Sequence, residues 1–413
     1  MGNEKFVCVA QMNSTRAVYQ RLGLRGMLDV VRRAVETARI DVLILGGEEI
    51  PELFWALSGP NRPAQQVYLW YAALADHPNL DPDFRVINYR GEASSGWQDG
   101  LTGEEVEENF IFACPNHPGT RTAVFTGVES QLGEYPWDGL FLDKIRYPSP
   151  ANGLDEVFSC FCPYCQSAAA DVGLDLGKVR SVLERLPREA RHVSPAAGGR
   201  PQTGWESCLG SLAGDDLDLL IRTLAFRAGS ITRLTGDVRA LTNRLGVRLG
   251  LDLFSPGLAY LVGQDYPALA RIADWVKPMT YRYANGPAGL RLEIPRLVRG
   301  LEDWLGLPPG TGEAWMQARA VGLAGISLAE IERSGPPLEF VAAETRQAVE
   351  MMGDRPVLLG VEAVSMPAFN LMVEPEHVRT MLALANASRA GGIVLSWDLL
   401  EMPFENLQAA GER

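Results

Sequence analysis

The stretch Trp137-Asp-Gly-Leu-Phe-Leu-Asp143-Lys-Ile-Arg146-Tyr-Pro-Ser-Pro150 decides the fold. Its first half, Gly139–Asp143, is a short apolar run without strict alternation, the pattern of a strand buried on both faces of a parallel sheet. Its second half gathers charges and an aromatic before prolines stop the strand. Seven more runs share this character: Phe6–Gln11, Val42–Gly46, Val67–Tyr71, Val247–Leu253, Trp275–Tyr281, Val357–Glu362 and Gly392–Asp398. Between them the apolar spacing predicts helices over Leu24–Ala38, Leu176–Leu186, Asp216–Leu245, Pro337–Met352 and Glu376–Ser388, with another near Thr120–Leu132. Eight strands alternating with helices predict an α/β fold, a (β/α)8 TIM barrel, over an open doubly wound sheet. No Gly-x-Gly-x-x-Gly follows the first strand, which disfavours a dinucleotide fold.

Two gaps exceed a simple helical crossover. One, after strand three, has room for extra strands at Phe84–Tyr89 and Asn109–Cys114; the other, after strand four, carries a cysteine cluster and a Pro/Gly-rich loop, Pro187–Gly204. No linker separates independent units, so residues 1–413 are expected to form a single barrel domain with insertions after strands 3 and 4, the region around 109–210 binding metal.

The 413 residues carry 38 basic and 51 acidic side chains, a net charge of −13, which argues against nucleic acid and anionic membranes as partners. No apolar run approaches the ~18 residues of a transmembrane helix, and no signal peptide is read at the start. A cytoplasmic location is the expectation. Nothing in the sequence decides whether the chain is a homo-oligomer.

Barrel enzymes place their chemistry at the C-terminal strand ends. Four late strands carry an acid there: Asp143, Asp252, Glu362 and Asp398. Aromatics stand at strand ends too, at Trp70, Tyr71, Tyr147, Tyr281 and Trp397. Flat aromatic faces stack on sugar rings, and glycosidic cleavage needs one carboxylic acid and one carboxylate. Single acids of this kind also cap helices or pair with Lys144, Arg146 or Lys277.

The 137–150 segment resembles the Asp-Gly-(Ile/Leu)-x-x-Asp-x-Ile-Arg-(Tyr/Phe)-Pro stretch of glycoside-hydrolase-like (β/α)8 proteins, the putative glycosyl hydrolase and "family 10-like" groups. Asp274-Trp-Val-Lys-Pro-Met-Thr-Tyr281 is similar to their sixth strand, and Gly360-Val-Glu-Ala-Val364 and Gly392-Ile-Val-Leu-Ser-Trp-Asp398 to their seventh and eighth. The resemblance implies a glycoside hydrolase acting on an oligosaccharide or glycoside, with Asp143 and Glu362 as the catalytic pair and retention as the working mechanism. Asp143 falls where α-amylase-like and α-galactosidase-like barrels place a nucleophile, and Glu362 where many β-glycosidases place theirs. The division of labour therefore stays open. Asp252 is the third candidate, as acid/base or orienting group, and Arg146 is expected to pair with a nearby carboxylate. Trp70, Tyr71, Arg146, Tyr281, Trp397 and Asp398 are the expected substrate contacts. In the chitinase pattern, Asp138 and Asp143 match two acidic positions, but Phe141 and Ile145 fill the others, including that of the catalytic glutamate. That departure motivates a second reading, a non-catalytic carbohydrate-binding barrel. A lyase or isomerase using Lys144 or Lys277 as base is a third.

Cys160-Phe-Cys162-Pro-Tyr-Cys165 offers three thiolates in one loop, and a structural zinc site takes four. Cys114 is the best fourth ligand, with His117 in reserve. The loop resembles the four-cysteine zinc site of glycoside hydrolase family 42 β-galactosidases; carried over, the ligands of a structural Zn2+ are Cys114, Cys160, Cys162 and Cys165. That family's Asn-Glu pair on strand four is absent here, so its catalytic residues do not transfer. Cys8 and Cys208 are read as inert, and the scattered histidines offer no compact metal motif.

Overall fold

The computed structural model describes residues 6–97, 109–189, 214–365, 367 and 371–412. Its eight strands are β1 Val7–Ser14, β2 Val42–Gly47, β3 Gln66–Ala72, β4 Gly139–Asp143, β5 Arg248–Phe254, β6 Trp275–Met279, β7 Leu358–Glu362 and β8 Gly392–Ser396. All pair in parallel, in the order β6-β5-β4-β3-β2-β1-β8-β7. Between β6 and β7 a single bridge, Val276 to Val357, takes the place of a ladder. The ring is thus a nearly closed (β/α)8 TIM barrel, and each expected strand is present within a few residues.

Period-two alternation divides each strand between two cores. Val9, Val42, Ile44, Tyr68, Phe141, Trp275, Leu358 and Val394 fill the barrel interior. Their strand neighbours face the surrounding helices in a second, larger core. Phe141 stacks on Trp275 with ring centroids 5.2 Å apart. Gly250 and Gly139 make room for these large rings: a Cβ on either would stand 2.4 Å from Trp275 or Tyr68. The interior is therefore plugged with aromatics below and left polar above.

The helices differ from expectation mainly at their starts. The first spans Arg16–Ala38, because Thr15 caps it by accepting from the Val18 N–H, and Gly23 interrupts it with a φ of 67°. Pro118–Glu134, Leu176–Glu189, Asp215–Leu245, Leu338–Met352 and Pro375–Ala387 lie where helices were expected.

The two extra strands do not form. Around residues 84–89 and 109–114 only isolated bridges occur, such as Ala75 to Phe112 and Arg85 to Ala113. Single bonds, Val86 N–H to the Phe112 carbonyl and Cys114 N–H to that of Phe84, satisfy the backbone without a ladder. A third excursion, not anticipated, lies between β6 and β7 and carries the helices Leu290–Leu305, Thr311–Arg319 and Leu328–Ser334. Cys208, His192 and most of the Pro187–Gly204 loop lie outside the described residues. Among the described residues, no helix is long and apolar enough to cross a membrane.

Candidate active site and cysteine cluster

A cavity of about 530 Å³ opens at the C-terminal strand ends. Asp143 and Asp252 both line it. They follow the paired residues Leu142 and Leu251 on β4 and β5, so they are the next step of one parallel register. Asp143 accepts from the Trp70 indole N–H at 3.0 Å (Oδ2) and from the Lys144 backbone N–H at 2.5 Å (Oδ1). Both oxygens therefore accept, one from a side chain and one from the backbone.

Asp252 is 2% exposed. Its Oδ2 accepts from the Lys277 ammonium at 2.8 Å, and its Oδ1 has no partner. Burial lifts its carboxyl from the ordinary range to about 7, with Lys277 opposing the rise and Asp143 adding to it. For Lys277, burial favours loss of the proton, but Asp252, Tyr281 and Asp143 outweigh it and raise the ammonium above its usual value. Lys277 also donates to Gln11 Oε1 at 3.0 Å. The same oxygen accepts from Ser396 Oγ at 2.9 Å, and Ser396 and Tyr281 share a hydroxyl hydrogen bond of 2.9 Å. Four strands or strand ends thereby lock one polar layer above the aromatic plug.

The other expected contacts fall into two groups. Trp70, Tyr71, Arg146, Tyr281 and Trp397 line the cavity. Of these, Trp70 and Trp397 keep partial exposure, and Tyr281 packs against Trp397 at 4.9 Å. Tyr71 is buried, so close to the helix Pro118–Glu134 that a Cβ at Gly127 would meet its hydroxyl at 2.2 Å. Arg146 lies between Phe112 and Phe254, its guanidinium 4.3 and 4.5 Å from the ring centres, and donates to the Tyr147 carbonyl. Among the described residues it has no carboxylate at ion-pair distance; aromatic faces take that place.

Glu362 and Asp398 do not line the cavity. Glu362 is 2% exposed and accepts from three consecutive backbone N–H groups, Arg282, Tyr283 and Ala284, at 3.2, 2.8 and 2.6 Å. Burial raises it to about 7, against those donors. The structure therefore does not bring Asp143 and Glu362 together as a pair: Glu362 clasps the loop after β6 to β7. Removing it strands one buried and two partly buried donors, so Glu362→Ala is expected to lose about 2–4 kcal/mol of stability and Glu362→Gln clearly less, read from urea unfolding midpoints. Asp398 accepts from Asn13 and Leu400 N–H at 3.1 Å, tying β8 to β1, and burial raises it to about 6. Asp138 sits at the far end of β4, paired with Arg62 at 2.7 Å.

Sequence reasoning missed Asp76. It takes the left-handed region at φ 54°, which Asp tolerates better than most residues. Its carboxylate holds the Lys144 ammonium at 2.7 Å and accepts from Asn109 and Phe110 N–H. Lys144, itself at φ 54°, is thus held beside Asp143 at the cavity wall.

The four cysteines expected to cooperate do converge. The sulfurs of Cys114, Cys160, Cys162 and Cys165 all lie within 4.8 Å of one another, and all four residues are buried. Cys114 lies 3.3 Å from Cys165 and 3.6 Å from Cys162, far beyond a disulfide and near the ~3.8 Å between thiolates sharing a tetrahedral zinc. Donors aim at the sulfurs: Ile87 N–H at Cys160, 3.2 Å, and the Asn116 amide at Cys165, 3.3 Å. The donor set fits a divalent ion. His117 is not part of it; its Nδ1 accepts from Gly119 N–H and caps the helix Pro118–Glu134.

No family model and no curated protein matches the sequence. Solved structures do, glycoside hydrolases among them. The chain is similar to α-L-fucosidase isoenzyme 2 from Paenibacillus thiaminolyticus, at 11% identity and a TM-score of 0.51, covering 98% of this chain and 48% of that one. It is similar to a catalytic mutant of Gan42B, a GH42 β-galactosidase from G. stearothermophilus, at 11% identity and a TM-score of 0.51, over 99% and 56% of the two chains. The PgaB (BpsB) glycoside hydrolase domain from Bordetella bronchiseptica aligns at 13% identity, with a TM-score of 0.48, over 96% and 95%. The chain thus spans about half the length of the first two. At these identities the likeness establishes the barrel fold.

Proposed function

We propose that this protein is a retaining glycoside hydrolase acting on an oligosaccharide or glycoside, with Asp143 as nucleophile and Asp252 as acid/base. The observation that carries this reading is the pair of carboxylates on one register step of neighbouring strands, in a cavity walled by Trp70 and Trp397. Adjacent strands lie ~4.8 Å apart, which suits the ~5–5.5 Å carboxyl separation of retaining enzymes better than the ~6.5–9.5 Å of inverting ones. The pair divides its labour by environment. Asp143, accepting hydrogen bonds at both oxygens, is equipped to attack the anomeric carbon. Asp252 has an unpartnered Oδ1 free to carry the proton that the leaving oxygen needs, and burial keeps that proton available near neutral pH. Glu362, expected to be catalytic, acts here as a positioning residue for the loop after β6. The glycoside hydrolase neighbours are consistent with this chemistry.

A screen of aryl glycosides, with NMR of the first-formed anomer of any hit, tests the proposal. Hydrolysis with retained configuration supports it; inversion removes Asp143 as nucleophile. Saturable sugar binding without product would instead favour the carbohydrate-binding barrel. The pH profile carries its own sign. A carboxylic acid raised to about 7 donates its proton below that value and has lost it above. So kcat/KM is expected to fall about tenfold per pH unit on the alkaline side of 7, and Asp252→Asn should abolish that limb.

We propose further that the cysteine ion is zinc in a structural role, since four thiolates leave no open coordination position for substrate. It would tie the loop after β3, through Cys114, to the loop after β4, through Cys160, Cys162 and Cys165.

A further inference from the structure

Arg227, on the long helix Asp215–Leu245, is 1% exposed, and it is among the largest side chains buried completely in the chain. One nitrogen, Nη1, donates to the Leu261 carbonyl at 2.9 Å; Nε and Nη2 have no hydrogen-bond partner. Its guanidinium covers the face of Tyr147, 4.4 Å from the ring centre. Among the described residues no carboxylate pairs with it. A buried cation without an anion carries a desolvation cost of several kcal/mol, so the fold must supply negative charge from elsewhere.

The anions within reach are sulfurs. Burial lowers the Arg227 guanidinium to about 10, and negative charge on Tyr147, Cys160 or Cys165 opposes that shift. The same helix is linked to the cluster one turn on, through Asn116. The Asn116 amide that donates to Cys165 Sγ also donates to Ser230 Oγ at 3.0 Å. Four thiolates closing on a divalent ion would leave a net dianion, one amide side chain away from this face of the helix.

We infer that Arg227 is the counter-charge of the cysteine metal centre, its guanidinium balancing the tetrathiolate and fastening the centre to the helix. The inference rests on the metal reading of the cluster. It makes Arg227 a positioning residue, with no contact to substrate.

The test follows zinc release from the full chain to an excess of chromophoric chelator, together with the thiolate-to-metal charge-transfer band of the cobalt-substituted protein. Wild type, Arg227→Met and Arg227→Lys are compared. Arg227→Met is expected to bind zinc 10- to 100-fold more weakly, the range for residues outside the ligand shell, with the tetrahedral cobalt spectrum kept. Arg227→Lys should recover most of the affinity. Equal affinity for wild type and Arg227→Met would overturn the assignment. Should Arg227→Met not fold, Arg227→Lys is compared with Arg227→Gln, and no advantage for lysine rejects the role of charge. A wild-type chain that shows no charge-transfer band defeats the metal reading itself, a result distinct from the others.

Discussion

Asp143→Asn is expected to lower turnover of a hydrolysed glycoside by roughly 10⁴-fold, with the fold and the metal content unchanged. The side chain keeps its shape and can still accept from the Trp70 indole, so the cavity wall should hold. What disappears is the negative charge that attacks the anomeric carbon. In Asp143→Ala, which opens a space where the carboxylate stood, an external anion such as azide should restore part of the rate if Asp143 is the nucleophile. Full activity in Asp143→Asn would remove the residue from the mechanism. The same substitution in a pure binding protein would alter affinity and nothing else.

The second large effect is on stability. Cys162→Ser, or chelation of the wild-type chain, is expected to lower Tm by roughly 5–15 °C, because the binding energy of a structural metal is also folding energy. Among the described residues between 84 and 114 there is no ladder, only isolated bridges and single bonds. Cross-linking through a metal held by the sulfurs would do there what strand pairing does in the barrel. Calorimetry with parallel elemental analysis checks it: a wild-type chain without stoichiometric metal and an unshifted Tm in Cys162→Ser would contradict the zinc assignment.

The barrel was legible because a buried parallel strand leaves an unmistakable trace, a short apolar run with no polar alternation, and this chain writes it eight times. The cysteine cluster was legible because three of its members share one loop and the fourth ends a neighbouring one. Asp143 and Asp252 were legible as strand-end acids, and the interior side of each strand follows from simple parity. Parity could not say which way a carboxylate turns once the strand has ended. Glu362 lies on the interior side with Leu358 and Gly360, yet its oxygens bend to the backbone of residues 282–284. Asp398, beyond the end of β8, is taken up by Asn13, far away in sequence. The layer of Gln11, Lys277, Ser396 and Tyr281 was invisible for the same reason, since only closure of the ring brings its members together. Asp76 carried a turn signal at most; its link to Lys144 depends on two left-handed residues facing each other.

The junction of β6 and β7 gives the barrel a direction it would otherwise lack. A hoop whose staves are all equally fastened deforms evenly, whereas this one has a loosely laced side, sewn by Val276 and Val357 and buckled by one carboxylate. Lys277 and Tyr281 stand on or beside it, so the thinly bonded side of the ring is also a wall of the cavity, while Asp143 is rooted two strands away on β4, which is laddered on both sides.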